Sequence, residues 1–191
     1  MSQAATIECS WTYERACAEL EETNQPIEIW DGELIMSPAP SFFHQVIVSR
    51  VEEALRRWVK NRRLGVVVSA PLDVVLAPER VVQPDIVFIS KRRLGIVKQH
   101  IAGAPDLVVE VVSPERRKRD YKLKKDRYEE YGVREYWIVD PQDNHIEVWW
   151  LNAEGFYELS GRFCTKQFAS SKLLTGFKLS VDQVFGDPLK I

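Results

Sequence analysis

Glu110 stands alone inside Leu107-Val108-Val109-Glu110-Val111-Val112, a run that is otherwise apolar. Apolar runs this continuous belong to strands covered on both faces. A carboxylate there costs on the order of several kcal/mol in lost hydration unless a cation meets it. The candidates are a metal ion, a lysine or an arginine. Asp85 opens a second apolar strand directly after Pro84, in Gln83-Pro84-Asp85-Ile86-Val87-Phe88-Ile89. Alone, an Asp after a proline reads more readily as a turn residue. Asp120, Lys124 and Tyr128 recur every four residues, which places them on one helix face. Their bland reading is a surface Asp120–Lys124 pair, and Lys122 and Lys125 are rival lysines in the same turn. Together the three features have a shared chemistry. Two carboxylates with a backbone carbonyl and water suit Mg²⁺, with Mn²⁺ as a substitute. A lysine beside them can orient or help deprotonate a water and stabilise a phosphorane-like transition state. That is the equipment of metal-dependent phosphodiester hydrolysis. No histidine triad, P-loop or GxGxxG competes with it.

These residues need elements to position them. Residues 11–22 read as a short helix. Ile27 to Trp30 and Glu33 to Met36 flank Asp31-Gly32, a strong hairpin signal. Ser41 can cap a helix running to about Arg63, with Val46, Val51, Leu55, Trp58 and Val59 on one apolar face. Val66 to Ser69, Leu72 to Leu76 and Asp85 to Ile89 read as strands, and Lys91 to Gly103 as a loop or short helix. After the Glu110 strand, Pro114 stops the run, and Glu115 to Tyr131 reads as a helix ended by Gly132. Arg134 to Val139 is a strand, and Ile146 to Trp150 with Gly155 to Leu159 a further hairpin. The tail from Leu173 to Phe185 returns one strand and a short helix. Strands flanked by two long helices give a mixed sheet with helical cover, of the α/β or α+β class. No linker composition divides the chain, so residues 1–191 read as a single domain with its core at about 27–185.

The motifs carry a resemblance. Pro84-Asp85, then Pro105-Asp106-Leu107-Val108-Val109-Glu110-Val111-Val112-Ser113-Pro114, then Asp120, Lys124, Tyr128 and Gly132-Val133, then Glu135-Tyr136-Trp137-Ile138-Val139-Asp140-Pro141 resemble the Uma family. That family is assigned to restriction endonucleases and to the PD-(D/E)XK nuclease superfamily. Gly32 to Pro38 followed by His44 is similar to the family's N-terminal part. The resemblance covers roughly residues 27 to 185 and implies a restriction-endonuclease-like fold. It maps Asp85 to the superfamily's first acid and Glu110 to its second, both as metal ligands. The superfamily pattern places lysine two residues after the second acid, where this chain has Val112. In the Uma family the lysine sits on the following helix, which points to Lys124. Asp106 also matches. It reads as a strand-start turn that shares a face with Glu110, open to a third ligand role. His44 is a candidate for the active-site wall, beside its reading as a packed helix-start histidine. Glu53 could be the added acid some superfamily members carry on their first helix, although Glu52 and Glu53 also read as solvated positions.

Composition sets the partners. The chain has 191 residues, 45% hydrophobic and 28% charged, with a net charge of -2. No global basic field draws nucleic acid, so binding must rest on local patches. Arg116, Arg117, Lys118 and Arg119, with Lys122, Lys124, Lys125 and Arg127, form one patch, and Arg56, Arg57, Lys60, Arg62 and Arg63 another. Beside the carboxylates they would hold a phosphate backbone. Otherwise they are solvated helix faces. Cys9, Cys17 and Cys164 show no CxxC spacing and fit a reducing cytoplasm. No stretch approaches the roughly 20 apolar residues of a membrane span. The resemblance implies a Mg²⁺-dependent endonuclease acting on DNA, and by analogy a homodimer cutting both strands. Its rivals are a nuclease-fold binding module without turnover and a protein-interaction domain whose Glu110 is paired by a buried cation.

Overall fold

In a computed structural model, residues 10–21, 25–114, 117 and 119–189 are described, with backbone alone for 119 and 120. Helix α1 (Tyr13–Glu19) is capped by the Thr12 hydroxyl. Strands β1 (Ile27–Trp30) and β2 (Glu33–Met36) form the expected hairpin. Asp31 and Gly32 both adopt positive φ, which is what a two-residue turn between twisted strands demands. Helix α2 (Phe42–Arg62) starts at Ser41, whose side chain accepts from the His44 N–H. Its C-cap, Arg63, is left-handed. There follow β3 (Gly65–Ser69), β4 (Val74–Ala77), β5 (Arg80–Val82) and β6 (Ile86–Ser90). A 3₁₀ turn over Lys91–Ile96 leads to β7 (Ile101–Ala102) and β8 (Leu107–Val111). The expected single helix after Pro114 is instead π-helical over Arg119–Lys124 and becomes α3 at Lys125–Glu130. Then come β9 (Glu135–Asp140), β10 (His145–Leu151), β11 (Tyr157–Phe163), β12 (Phe168–Ser170), β13 (Lys178–Ser180) and α4 (Val181–Phe185).

Two larger sheets replace the one that the strand pattern predicts. The first has order β11-β10-β9-β8-β6-β3, with β8 and β9 parallel and its other pairs antiparallel. The second has order β2-β1-β5-β4-β7 and takes in the N-terminal hairpin. Strands β3 and β4, adjacent in sequence, fall in different sheets.

Alternation along the strands explains the layering. Ile86, Phe88, Leu107, Val109, Trp137 and Val139 face α2, meeting Ile47, Val51, Leu55 and Val59. The intervening residues, Val87, Ile89, Val108, Val112, Tyr136 and Ile138, face Trp30, Val74, Val82 and Ile101 of the second sheet and Tyr128 of α3. The Glu110 strand is therefore buried on both faces, and Glu110 itself points towards the second sheet. No helix among the described residues is long and apolar enough to cross a membrane.

Candidate active site

The polar residues gather where β6 begins and β8 ends. Continuing the β6–β8 register one residue past Ile86↔Val109 sets Asp85 opposite Glu110. Opposed residues point to the same face, with Cβ atoms about 4.5–5.5 Å apart. The Val111 N–H donates to Asp85 Oδ2 at 2.7 Å, so a side chain takes the place of a ladder partner. The Asp85 carboxylate is 17% exposed.

Glu110 is buried, and both its oxygens are engaged. The Tyr128 hydroxyl donates to Oε1 at 2.6 Å, and the buried Lys124 ammonium donates to Oε2 at 2.8 Å. Burial first, then the Glu110 charge, holds the Tyr128 phenol well above its ordinary value, so it remains a donor. Lys124 Nζ also lies 3.6 Å from Glu28 Oε1. Glu28, buried on β1, accepts from the Gln83 N–H at 3.1 Å and from Trp30 Nε1 at 3.2 Å. On the solvent side, His44 Nε2 donates to the Val111 carbonyl at 3.1 Å and lies 3.4 Å from Asp85 Oδ2. Burial opposes charge on this ring, but the Asp85 hydrogen bond and charge outweigh it and raise the imidazole above its ordinary value.

The donor set matches a hard divalent cation. Asp85 and Glu110 supply carboxylates, and Val111 supplies a carbonyl beside them. Oxygen ligands of this kind suit magnesium or manganese, whereas a soft metal would call for thiolates. An ion ligated by Glu110 Oε2 would compete with Lys124 for that oxygen.

A second cluster lies one strand over, at the same end of the sheet. The ligand atoms of Asp140, Asp143 and His145 lie within 4.8 Å of one another, a spacing that could hold a metal. Those atoms already have partners. Tyr121 donates to Asp140 Oδ2 at 2.8 Å, and His145 Nε2 lies 2.8 Å from the same hydroxyl. Arg117 is 3.1 Å from Asp140 and is paired with Asp143. The cluster ties the β9–β10 turn to the π-helical segment, and that segment in turn delivers Lys124 to Glu110.

The other sequence candidates fall elsewhere. Lys122 is exposed and pairs with Asp126 at 3.6 Å, while Lys125 sits 3.9 Å over the Trp149 ring. Of these three lysines, Lys124 is the one that touches Glu110. Asp106 is fully buried at the opposite end of β8, where the Ser90 N–H donates to it and Arg93 and Arg134 approach. Glu53 is exposed and pairs with Arg57 along α2. Arg117 is held by Asp140, Asp143 and Gln142. Arg116, Lys118 and the side chains of Arg119 and Asp120 lie outside the described residues. Sequence reasoning missed Glu28. Between Ile27 and Ile29 it reads as the outward position of a hairpin, but in the fold it is buried beside Gln83, Trp30 and Lys124.

Residues 12–182 match the model of the Uma2 family, described as "Putative restriction endonuclease". The chain belongs to this family. The Uma2 match spans both large sheets, the Asp85–Glu110–Lys124 junction and the Asp140 cluster. Among solved structures the chain is similar to "a putative nuclease belonging to DUF820 from Anabaena variabilis ATCC 29413". The TM-score is 0.75 at 21% identity, over 91% of this chain and 97% of that one. The likeness assigns the Uma2 chain a restriction-endonuclease-like fold, a mixed α/β arrangement of sheets flanked by helices. No functionally curated protein matches it.

Proposed function

We propose that the chain is a Mg²⁺-dependent endonuclease that hydrolyses phosphodiester bonds of DNA, with Mn²⁺ as a substitute ion. The observation that carries this reading is the meeting of Glu110 with Lys124, at 2.8 Å, beside the partly exposed Asp85 at the end of the β6–β8 pair. In this reading Asp85 and Glu110 hold the ion. When bound, the ion supplies Lewis-acid polarisation of the phosphate and activation of water. Lys124 contributes a buried positive charge where negative charge grows on the phosphate, a site where water screens little. In this reading a water oxygen would attack phosphorus as the bond to the leaving oxygen breaks, the water giving up a proton to solvent and the leaving oxygen taking one from it, and Lys124 would orient that water. His44, on the solvent side of Asp85, forms the wall against which the phosphate lies. Cutting both strands requires two such sites, and a homodimer would supply them.

The test combines calorimetry with a cleavage assay. Mg²⁺ and Mn²⁺ are titrated into wild type and into Asp85→Ala/Glu110→Ala protein, with circular dichroism reporting the fold. Binding in wild type and its loss in the folded double variant is the expected result. Glu110→Ala should abolish metal-dependent cleavage of plasmid DNA yet leave the fold intact, because Glu28 remains as a carboxylate partner for Lys124. Cleavage retained in the folded variant would sink the assignment.

The engagement of both Glu110 oxygens favours a second reading, a nuclease-fold binding module without turnover. It expects oligonucleotide binding with no heat of Mg²⁺ binding and no cleavage.

A further inference from the structure

If Glu110 Oε2 took a metal ion while still holding Lys124, two cations would be brought together at one oxygen. A divalent ion ligated at about 2.1 Å would share this oxygen with an ammonium now 2.8 Å away, and the two positive charges would repel. Tyr128 already donates to Oε1, and a shift of Lys124 to that oxygen would leave it on the same carboxylate that the ion engages. Lys124 is buried, so a retreat into solvent would abandon its place in the site. One carboxylate offers a short path. Glu28 Oε1 is 3.6 Å from Lys124 Nζ, and Glu28 is itself fixed by the Gln83 N–H and by Trp30. It belongs to the second sheet, not to the β6–β8 edge that carries Asp85 and Glu110.

We propose that Glu28 is a positioning residue that receives the Lys124 ammonium when Glu110 engages a metal ion, and so keeps that charge beside the reacting phosphate. This rests on the reading of Asp85 and Glu110 as metal ligands. Its first consequence needs no metal: with Glu110 neutralised, Glu28 should keep Lys124 in place.

The experiment reads the accessibility of Lys124 to a mild acylating reagent, site by site, by peptide mass spectrometry. Exposed Lys122 serves as the internal reference. Four proteins are compared: wild type, Glu28→Gln, Glu110→Gln and the double variant, each checked for folding by circular dichroism. Lys124 labelling in Glu110→Gln should stay within about twofold of wild type. In the double variant it should rise at least about tenfold, since a buried ammonium stripped of both carboxylates is costly to keep buried. Equal labelling in Glu110→Gln and the double variant would overturn the proposal. So would Lys124 in Glu110→Gln reacting as fast as Lys122. If the double variant does not fold, Glu28→Asp in the Glu110→Gln background replaces it. That change keeps the charge but withdraws it by one methylene, and it should again expose Lys124. Unchanged labelling there would count against the role. A second arm adds Mg²⁺, with calorimetry run in parallel. Lys124 should stay protected in metal-loaded wild type and become labelled in metal-loaded Glu28→Gln. Absence of Mg²⁺ binding in wild type would defeat the metal reading itself, whereas the metal-free comparison would still decide whether Glu28 holds Lys124.

Discussion

A carboxylate oxygen buried beside a phenol at 2.6 Å depends on that donor for much of its solvation. Tyr128→Phe leaves Glu110 Oε1 without its hydroxyl partner in an apolar wall, and an unsatisfied buried acceptor costs about 1–3 kcal/mol. Urea unfolding should show a loss in that range, with the slope unchanged. A loss near zero would mean that another donor takes over Oε1. The same residue scale shows what the chain made legible. Asp85 and Glu110 stand out because each interrupts or opens an apolar run, and a charge there calls for a partner. Lys124 follows from the family resemblance, helped by its four-residue spacing to Tyr128, and the structure brings both side chains to Glu110. Glu28 gives no such signal. Its neighbours alternate as in any half-exposed hairpin, and its burial is decided by strands and a helix that lie far along the chain. Asp106 is the strand-start residue its position suggests: the strand parity it shares with Glu110 is real, but it sits at the far end of the strand, with Arg93 and Arg134 as its cations, away from Glu110.

At the scale of elements, the segment from Arg119 to Glu130 is the positioning device. Its first half is π-helical, a departure that sequence periodicity does not announce. Tyr121 anchors that half to Asp140 and His145, and α3 then carries Tyr128 to Glu110. The anchor has a definite protonation pattern. If the Tyr121 hydroxyl donates to Asp140, His145 Nε2–H donates to the Tyr121 oxygen, and Nδ1 is left to accept from Arg162 at 3.4 Å. That is a neutral imidazole. Burial, and then the Arg162 charge, hold it below its ordinary 6.5. On acidification through about 6.5 the unfolded chain therefore takes a proton that the folded chain does not, so this residue makes stability fall as pH drops. His145→Gln removes the linkage. Urea midpoints between about pH 8 and 5 should fall less steeply for the variant than for wild type. Parallel curves would mean that His145 takes up its proton alike in the folded and the unfolded chain. The short strands β5 and β7 and the extra tail strand β12 were equally hard to foresee. Each has two or three residues, too few for a period to show.

Across the whole molecule, the question is what presses the second sheet against the helix that carries Lys124. The division into two sheets was not legible, because Pro71 separates β3 from β4 without saying that they part company. Apolar contact supplies most of the join, through Trp30, Val74, Val82 and Tyr128. A charged clamp closes it at the β1–β2 turn. Arg80 pairs with Asp31 and reaches Glu130 at 3.0 Å, while Arg127 bridges the same two acids at 2.8 Å each. Asp31 lies on the hairpin and Glu130 on α3, so the clamp joins the hairpin that carries Glu28 to the helix that follows Lys124. Arg80 is 13% exposed and the acids are about half exposed, so solvent screens part of the attraction. Arg80→Ala should therefore cost only about 1 kcal/mol of global stability, the upper end for surface pairs. Its local effect should be larger. With the hairpin less firmly held, Lys124 should label faster than in wild type even though Glu28 and Glu110 are intact, and 1 M salt should narrow the gap by speeding wild-type labelling. The same stability loss with unchanged Lys124 labelling would show that apolar packing alone sets the distance between the two sheets. In that case the clamp would stabilise the fold without tuning the site.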